Sequence, residues 1–212
     1  MKQYKGYVFD FDLTLVDSAP GIINCYKHIF KVNNLKPADE LEIRKTIAYT
    51  LEDGLKMVFP EASPEELEKY KEDYNSVADQ YVTEGTKPFP ETIPCLRRLK
   101  ETGAQILIVS MKLRFRVQEA LETYGMAEYV DYVIGSEDVT KPKPDPMGLN
   151  AAIAYMDIPK EAVLYIGDTV LDAGAAKNAE VDFMGVTTGV TSEEELAEYP
   201  HVLIAENLDH LR

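Results

Sequence analysis

The amino-acid sequence predicts an α/β fold, a doubly wound (Rossmann-like) parallel sheet with an inserted α-helical cap domain. Short, nearly continuous apolar runs recur along the chain, as is typical of strands buried on both faces of a parallel sheet. From residue 90 onward these runs alternate with helical patterns, which indicates successive β–α units. Between about Asp17 and Glu84, by contrast, apolar residues recur only at helical spacing, which predicts the helical insertion.

The predicted elements of the sheet domain follow one another in a regular order. The predicted strands are Tyr7–Phe9, Ile106–Val109, Tyr132–Ile134, Val163–Ile166, Phe183–Val186 and Val202–Ile204. The predicted helices are Thr92–Thr102, Arg114–Tyr124, Pro146–Met156 and Asp172–Asn178. Gly103 and Gly125 follow the first two of these helices, where glycine commonly ends a helix.

The inserted segment is predicted to be a domain of its own. Its tyrosines recur at helical spacing and are expected to pack helix against helix rather than to line a ligand site. The stretch Thr83–Pro90 carries a glycine and two prolines, which is typical of a linker. We therefore assign residues 1–16 and 85–212 to the sheet domain and residues 17–84 to a helical cap domain.

Composition excludes several classes of function. The net charge of −15 argues against a nucleic-acid partner, because binding to phosphate backbones requires clustered Lys and Arg. No apolar run approaches the roughly 18 residues of a membrane span, and the chain starts without a secretory pattern. Cys25 and Cys95 are far apart and are expected to be reduced, buried thiols. We expect a cytoplasmic monomer or homodimer with a small-molecule partner.

Two carboxylates stand where the first strand ends. Asp10 and Asp12 directly follow the apolar run, and ligands of open α/β sheets bind at the carboxyl ends of the strands. Such a pair can serve as a hard-metal site, as a nucleophile beside an acid/base, or as a helix cap. Capping fits Asp10 poorly because that residue still belongs to the strand.

A second acidic pair follows another predicted strand. Val163–Ile166 delivers Asp168 to the same edge of the sheet, and Asp172 should lie one helical turn further on. Four carboxylates that meet at one edge repel each other unless a cation lies between them. An all-oxygen site with few carboxylates suits Mg²⁺.

Two polar residues complete the pattern at this edge. Ser110 ends the second strand, and its hydroxyl could donate to a phosphoryl oxygen. Lys141 lies in the segment Lys141–Pro144, which its prolines hold extended. Each residue by itself is equally consistent with an ordinary turn or surface position.

Taken together, these residues resemble the motifs of the haloacid dehalogenase superfamily, specifically its phosphoglycolate-phosphatase-like branch. Asp10–Leu15 (DFDLTL) matches the first motif, DxDxT, and Ser110 matches the strand-terminal Ser or Thr of the second. Lys141 matches the lysine of the third motif, and Gly167–Asp172 matches the fourth, GDxxxD. The resemblance covers the whole chain, including a helical cap between the first and second motifs. It departs at position 13, which is usually Gly and here is Leu13, and at Met111, where Asn is more usual.

The resemblance implies a role for each motif residue. Asp10 would attack phosphorus and form an aspartyl-phosphate, and Asp12 would act as general acid and then as general base. Lys141 would supply a positive charge at the phosphoryl group. Mg²⁺ would be held by Asp10, by the backbone carbonyl of Asp12 and by Asp168, with Asp172 close by.

Substrate contacts are also implied, in the core and in the cap. Ser110, Met111 and the backbone amides near Phe11 and Leu13 would orient the phosphoryl oxygens. In the cap, Arg44 and Thr50 are candidates to contact an anionic or polar leaving group, although a solvated helix surface is the simpler interpretation of each.

Several functions are compatible with this pattern. Hydrolysis of a small phosphomonoester such as phosphoglycolate is the first expectation, and pyrophosphate hydrolysis by a related enzyme is a competitor. A phosphomutase similar to β-phosphoglucomutase would share the cap and the motifs. A non-catalytic binding module is disfavoured because the expected reacting groups are all present.

Overall fold

The computed structural model describes residues 2–211, which form two compact units. One unit contains the described residues up to Val16 and from Pro88 onward, and the other is Asp17–Lys87. The chain therefore leaves the first unit soon after its first strand and returns to it once. The sequence-based assignment placed the return at residue 85.

The first unit is built on a parallel sheet, which confirms the predicted fold class. The sheet has six strands in the order β5-β4-β1-β6-β7-β8, with parallel pairing throughout. The strands are β1 (Gly6–Phe9), β4 (Gln105–Val109), β5 (Tyr132–Ile134), β6 (Val163–Gly167), β7 (Asp182–Val186) and β8 (Leu203–Ala205). Two further strands of two residues, β2 (Val16–Asp17) and β3 (Lys87–Pro88), pair in a small sheet of their own.

Both faces of the large sheet are covered by helices, which explains why its strands are continuously apolar. Tyr7 and Phe9 of β1 belong to one buried cluster, and Val8 between them belongs to another on the opposite face. The helices of this unit are α5 (Thr92–Glu101), α6 (Arg114–Thr123), α7 (Met147–Met156), α8 (Val170–Ala179) and α9 (Glu193–Ala197). Buried residues of α5 and α6 join the first cluster, and those of α7 and α8 join the second.

The order of the strands creates a switch point at β1. From β1 the chain continues to β4 and β5 on one side, and it then returns to place β6, β7 and β8 on the other side. The crevice of an open α/β sheet lies outside the carboxyl ends of the strands at such a point. The residues that follow β1, β4 and β6 are therefore the ones placed to form a site.

The second unit is helical, as predicted. It contains α1 (Ala19–Val32), α2 (Glu40–Lys45), α3 (Leu51–Val58) and α4 (Pro64–Gly85), with a short 3₁₀ helix at Thr46–Ala48. Gly21 of α1 lies so close to α4 that a Cβ there would be 2.4 Å from the carbonyl oxygen of Tyr81. Tyr26 packs against Tyr74 with ring centroids 5.8 Å apart, so these tyrosines join helix to helix.

Two expectations about the whole chain can be compared with the structure. Cys25 and Cys95 are both buried, and they are not joined in a disulfide. Within residues 2–211, every helix is too short or too polar to cross a membrane.

Candidate active site

Three carboxylates converge at the carboxyl ends of β1 and β6. One oxygen each from Asp10, Asp168 and Asp172 lies within 4.8 Å of the others, and all three residues are buried. Asp10 is held at the end of β1 because its amide donates to the carbonyl of Ile166 at 2.8 Å. Asp168 directly follows β6, and Asp172 lies in the first turn of α8. The structure thus brings together three of the four acidic residues predicted to form a metal site.

Lys143, rather than the predicted Lys141, is the lysine of this cluster. Its ammonium is 2.8 Å from Oδ1 of Asp10 and 2.7 Å from Oδ1 of Asp172, and its side chain is only 6% exposed. The side chain of Lys141 is 69% exposed, and its nearest described carboxylate is that of Asp145 at 3.8 Å. The positive charge predicted at Lys141 is therefore supplied by Lys143, two residues further along the chain.

The error has a definite origin in the sequence. The segment Lys141–Pro146 contains two overlapping copies of Lys-Pro-x-Pro, one that starts at Lys141 and one that starts at Lys143. Packing against α8 selects the second copy. A Cβ on Gly174 would be 2.8 Å from Cβ of Pro144, and Asn178 donates from Nδ2 to the carbonyl of Pro144 at 2.9 Å. These contacts hold the residue before Pro144 at the site, a feature that the local pattern does not encode.

Asp172 is fixed more firmly than any other residue of the site. Its Oδ2 accepts from the amide and the hydroxyl of Thr169 in a capping box at the start of α8. Its Oδ1 accepts from Tyr165 Oη at 2.7 Å as well as from Lys143. A Cβ on Gly167 would lie 2.5 Å from Cβ of Asp172, so only glycine permits this approach. Both oxygens of Asp172 therefore already accept hydrogen bonds, and Oδ1 holds the ammonium group of Lys143 in place.

Asp168 is oriented from the opposite side. Oδ1 of Asp168 accepts from the hydroxyl of Thr14 at 2.9 Å, which links the fourth motif to the first. A Cβ on Gly189 would lie 1.9 Å from Oδ2 of Asp168, so the backbone of that loop lies directly against the carboxylate. Asp168 is thus buried and held by few hydrogen bonds, as suits a metal ligand.

Asp12 is paired with a lysine that the sequence-based assignment left out. Nζ of Lys112 is 2.9 Å from Oδ1 of Asp12, and the two side chains are 12% and 8% exposed. Ser110 stands at the base of this arrangement, where its Oγ accepts from the amide of Lys112 at 3.1 Å. Because a hydroxyl both donates and accepts, the proton of Ser110 stays available to a phosphoryl oxygen.

In the turn after Asp10, the amide of Leu13 was expected to face phosphoryl oxygens, but it has a partner within the turn. Leu13 is a buried non-glycine residue with φ of 59°, and its amide donates to the carbonyl of Val16 at 2.8 Å. The predicted role of that amide toward phosphoryl oxygens is at odds with this hydrogen bond. The side chain of Phe11 is fully buried in the core, so only its backbone could face a substrate. Met111 is buried between Ser110 and Lys112.

Thr50 and Arg44, the two candidate substrate contacts of the helical unit, both lie at helix ends. Thr50 is the N-cap of α3, and its Oγ1 accepts from the amide of Asp53 at 3.2 Å and donates to Oδ2 of Asp53 at 2.9 Å. Arg44 lies in the last turn of α2, where a cation is favoured by the helix dipole. The hydroxyl of Thr50 thus already makes hydrogen bonds that cap α3.

The electrostatics of the cluster favour a bound cation. Burial raises the pKa of Asp10 to about 7, although Lys143 opposes the rise. Burial and then the charges of Asp10 and Asp172 raise the pKa of Asp168 well above its ordinary value. Burial alone would lower the pKa of Lys143, but the two carboxylates outweigh it and raise that pKa. Lys143 therefore stays charged and still leaves an excess of negative charge.

The residues present fit a small divalent cation. The converging donors are carboxylate oxygens, which hard cations such as Mg²⁺ prefer. When the carboxylates of Asp10, Asp12, Asp168 and Asp172 are all ionised, the ammonium groups of Lys112 and Lys143 leave two negative charges uncompensated. A dication would neutralise that excess without a change in the fold.

Sequence reasoning missed several polar residues of the site, and only some left a signal. Lys112 stands two residues beyond Ser110, and Thr14 belongs to the first motif, so their proximity could have been inferred. Tyr165 lies inside an apolar strand and looks like a core residue until its hydroxyl is seen against Asp172.

Comparisons with known proteins agree with this geometry. The family model described as haloacid dehalogenase-like hydrolase matches residues 7–186. Pyrophosphatase PpaX of Listeria monocytogenes serotype 4b is 26% identical over 204 residues, which covers 96% of this chain and 93% of that protein. Phosphoglycolate phosphatase of Vibrio cholerae is 27% identical over 219 residues, which covers 100% and 96%.

A solved structure resembles the chain more closely. The crystal structure of a haloacid dehalogenase-like hydrolase from Bacteroides fragilis superposes with a TM-score of 0.93 at 39% identity, covering 99% of this chain and 100% of that one. Family model, relatives and solved structure all span both the sheet unit and the helical insertion. The chain belongs to the haloacid dehalogenase-like hydrolase family.

Proposed function

We propose that this enzyme is a Mg²⁺-dependent phosphatase that hydrolyses a small phosphorylated metabolite through an aspartyl-phosphate on Asp10. The observation that carries the proposal is the placement of Asp10. Its carboxylate ends β1 at the switch point of the sheet, 2.8 Å from Lys143 and beside two further buried carboxylates. A carboxylate in such a field can approach a phosphate dianion, which an isolated one would repel.

In the first step, a carboxylate oxygen of Asp10 attacks phosphorus and the bond from phosphorus to the leaving oxygen breaks. Asp12, two residues on, donates a proton to that leaving oxygen. In the second step Asp12 takes a proton from water, whose oxygen attacks phosphorus and releases Asp10 and inorganic phosphate. A covalent intermediate thus divides one difficult hydrolysis into two easier substitutions.

The surrounding residues orient the phosphoryl group and balance its charge. Lys143 neutralises negative charge on the transferred group, and Ser110 donates a hydrogen bond to one of its oxygens. Asp10, Asp168 and the main-chain carbonyl of Asp12 would hold Mg²⁺. When bound, this ion would reduce the repulsion between carboxylate and phosphate and stabilise charge in the transition state.

For the substrate we propose phosphoglycolate or a similar small phosphomonoester. A relative of this chain is named phosphoglycolate phosphatase and covers its whole length. Inorganic pyrophosphate is the second candidate, because another full-length relative at similar identity is named pyrophosphatase PpaX. Both compounds are small, and in both the group that leaves is itself anionic.

One experiment tests the proposal as a whole. The purified protein is assayed for phosphate release from phosphoglycolate, pyrophosphate and hexose phosphates, with Mg²⁺ and with excess EDTA. We expect release that EDTA abolishes and added Mg²⁺ restores. Activity that persists in excess EDTA would overturn the metal assignment, and the absence of release from every compound would overturn the phosphatase assignment.

A further inference from the structure

The ion pair between Lys112 and Asp12 places a positive charge beside the proposed proton donor, and the proposed mechanism gives that charge no role. Lys143 is committed to Asp10 and Asp172, each within 2.8 Å. Lys112 contacts Asp12 at 2.9 Å, and its side chain is 12% exposed. Lys112 thus places a second ammonium group in a largely buried site, where it is paired with Asp12 and not with the nucleophile Asp10.

The position of Lys112 is set by its backbone. Its amide donates to Oγ of Ser110 at 3.1 Å, and its carbonyl accepts from the amide of Ser136 at 3.1 Å. Both ends of the residue are therefore tied to the loops that follow β4 and β5. The ammonium group can exchange partners by rotation of its side chain while its Cα stays in place.

The geometry locates Lys112 relative to the bond that breaks. A proton donor must come within about 3 Å of the leaving oxygen. Since Nζ of Lys112 lies 2.9 Å from Oδ1 of Asp12, it can lie no more than about 6 Å from a leaving oxygen that Oδ1 contacts. An anionic group one or two atoms from the leaving oxygen falls within reach of the ammonium group.

We infer that Lys112 is a specificity-determining residue that selects substrates with an anionic leaving group. An incoming carboxylate or phosphate draws the ammonium away from Asp12 and forms its own charge-assisted hydrogen bond with it. The same exchange frees Oδ1 of Asp12 to face the leaving oxygen. A substrate with a neutral leaving group offers no replacement partner, so the ion pair persists and obstructs Asp12.

The inference rests on the proposed phosphatase function and narrows its substrate class. It applies equally to a phosphocarboxylate and to pyrophosphate, because both place negative charge next to the leaving oxygen. The matched neutral compound is 2-hydroxyethyl phosphate, which has the size of phosphoglycolate but carries a hydroxymethyl group in place of the carboxylate.

The test compares kcat/KM of the wild type, Lys112→Met and Lys112→Arg for phosphoglycolate, pyrophosphate and 2-hydroxyethyl phosphate. Lys112→Met should lower kcat/KM by about 10- to 100-fold for the two anionic substrates. For 2-hydroxyethyl phosphate it should stay within about threefold of wild type or rise, because Asp12 is released. Lys112→Arg should recover part of the loss. Lys160→Met, which removes an exposed ion pair with Glu180, is the control and should change nothing.

Each other outcome has a defined meaning. An equal loss for all three substrates would show that Lys112 acts on the fold or on Asp12 alone, and it would overturn the inference. So would a wild-type enzyme that does not prefer phosphoglycolate to 2-hydroxyethyl phosphate. Activity of Lys112→Met on 2-hydroxyethyl phosphate also reports that the variant is folded. A wild type that hydrolyses none of the three overturns the proposed function itself.

Discussion

The carboxyl edge of the sheet and the helical unit use their polar side chains in different ways. At the sheet edge, the side chains of Asp10, Asp172 and Lys143 are buried, and the ammonium group of Lys143 contacts both carboxylates. In the helical unit, Thr50 caps a helix and Arg44 lies at a helix end. Buried charges of the first kind carry a desolvation cost that ion pairing only partly offsets, whereas capping groups of the second kind stabilise their own helices.

Substitutions in the two regions should therefore differ in whether they affect chemistry or folding. Changes at the sheet edge should lower activity by orders of magnitude. Changes at the helix caps should lower stability by about 1 kcal/mol and leave activity almost unaltered.

The largest effect is expected from Asp10→Asn. The variant keeps the shape of the side chain but removes the nucleophilic charge, so kcat should fall by at least about four orders of magnitude. Steady-state phosphate release measures this. Asp182→Asn, which alters a carboxylate at the start of β7 paired with Lys2, is the control and should retain activity. Retention of more than a tenth of wild-type activity by Asp10→Asn would refute the nucleophile assignment.

The next largest effect separates two lysines that are two residues apart. Lys143→Met removes the cation shared by Asp10 and Asp172 and should lower kcat/KM by about 10²- to 10³-fold. Lys141→Met should stay within about threefold, since its side chain is exposed. The opposite ranking would restore the assignment made from sequence alone.

The buried carboxylates of the site should make the stability of the protein depend on pH and on Mg²⁺. Burial raises the pKa of Asp10 to about 7 and also raises that of Asp168, whereas an unfolded aspartate titrates near about 3.9. Between these values the folded state holds more protons than the unfolded state, so raising the pH from 5 to 8 should destabilise the metal-free protein. Mg²⁺ binds the deprotonated carboxylates and should reverse this loss.

Thermal denaturation at pH 5 and pH 8, with EDTA and with excess Mg²⁺, measures the effect. Mg²⁺ should raise Tm by about 5 °C at pH 8 and by clearly less at pH 5. Carboxylates with lowered pKa, such as Asp138 and Asp53, titrate below this range and do not contribute. An equal Mg²⁺ effect at both pH values would contradict the assignment of the cluster.

The smallest effect is expected at Thr50. Thr50→Ala removes the N-cap of α3 and should cost about 1 kcal/mol of unfolding free energy, with kcat/KM within about threefold of wild type. Thr50→Asn restores a capping side chain without the hydroxyl and should recover the stability. If both variants instead lost activity by tenfold or more, Thr50 would belong to the substrate site as the sequence first suggested.

Much of this protein could be predicted because its strands carry a strong local pattern. Tyr7–Phe9 and Val163–Ile166 are apolar at every position, and they are strands of the sheet as expected. Asp10 and Asp168 follow those strands directly, so their meeting at one edge follows from parallel pairing alone. The helical insertion was predictable for the same reason, since its apolar residues recur at helical spacing.

Contacts between distant segments decided the rest. Lys141 and Lys143 both begin a Lys-Pro-x-Pro pattern, and the contacts of Pro144 with Gly174 and Asn178 place Lys143 at Asp10. Tyr165 has the sequence context of a core residue, yet its hydroxyl binds Asp172. Leu13 has a positive φ, a conformation that favours glycine. Its amide, which was predicted to bind a phosphoryl oxygen, donates to the carbonyl of Val16 instead.

The fold class, the inserted helical unit and the carboxylates at the sheet edge could all be predicted from the amino-acid sequence, because periodicity and strand ends are properties of neighbouring residues. Contacts in the folded structure were needed to show that Lys143 neutralises Asp10 and that Lys112 pairs with Asp12. Those choices depend on which side chains of distant segments share a buried space, where unpaired charges are costly and each must find its own partner.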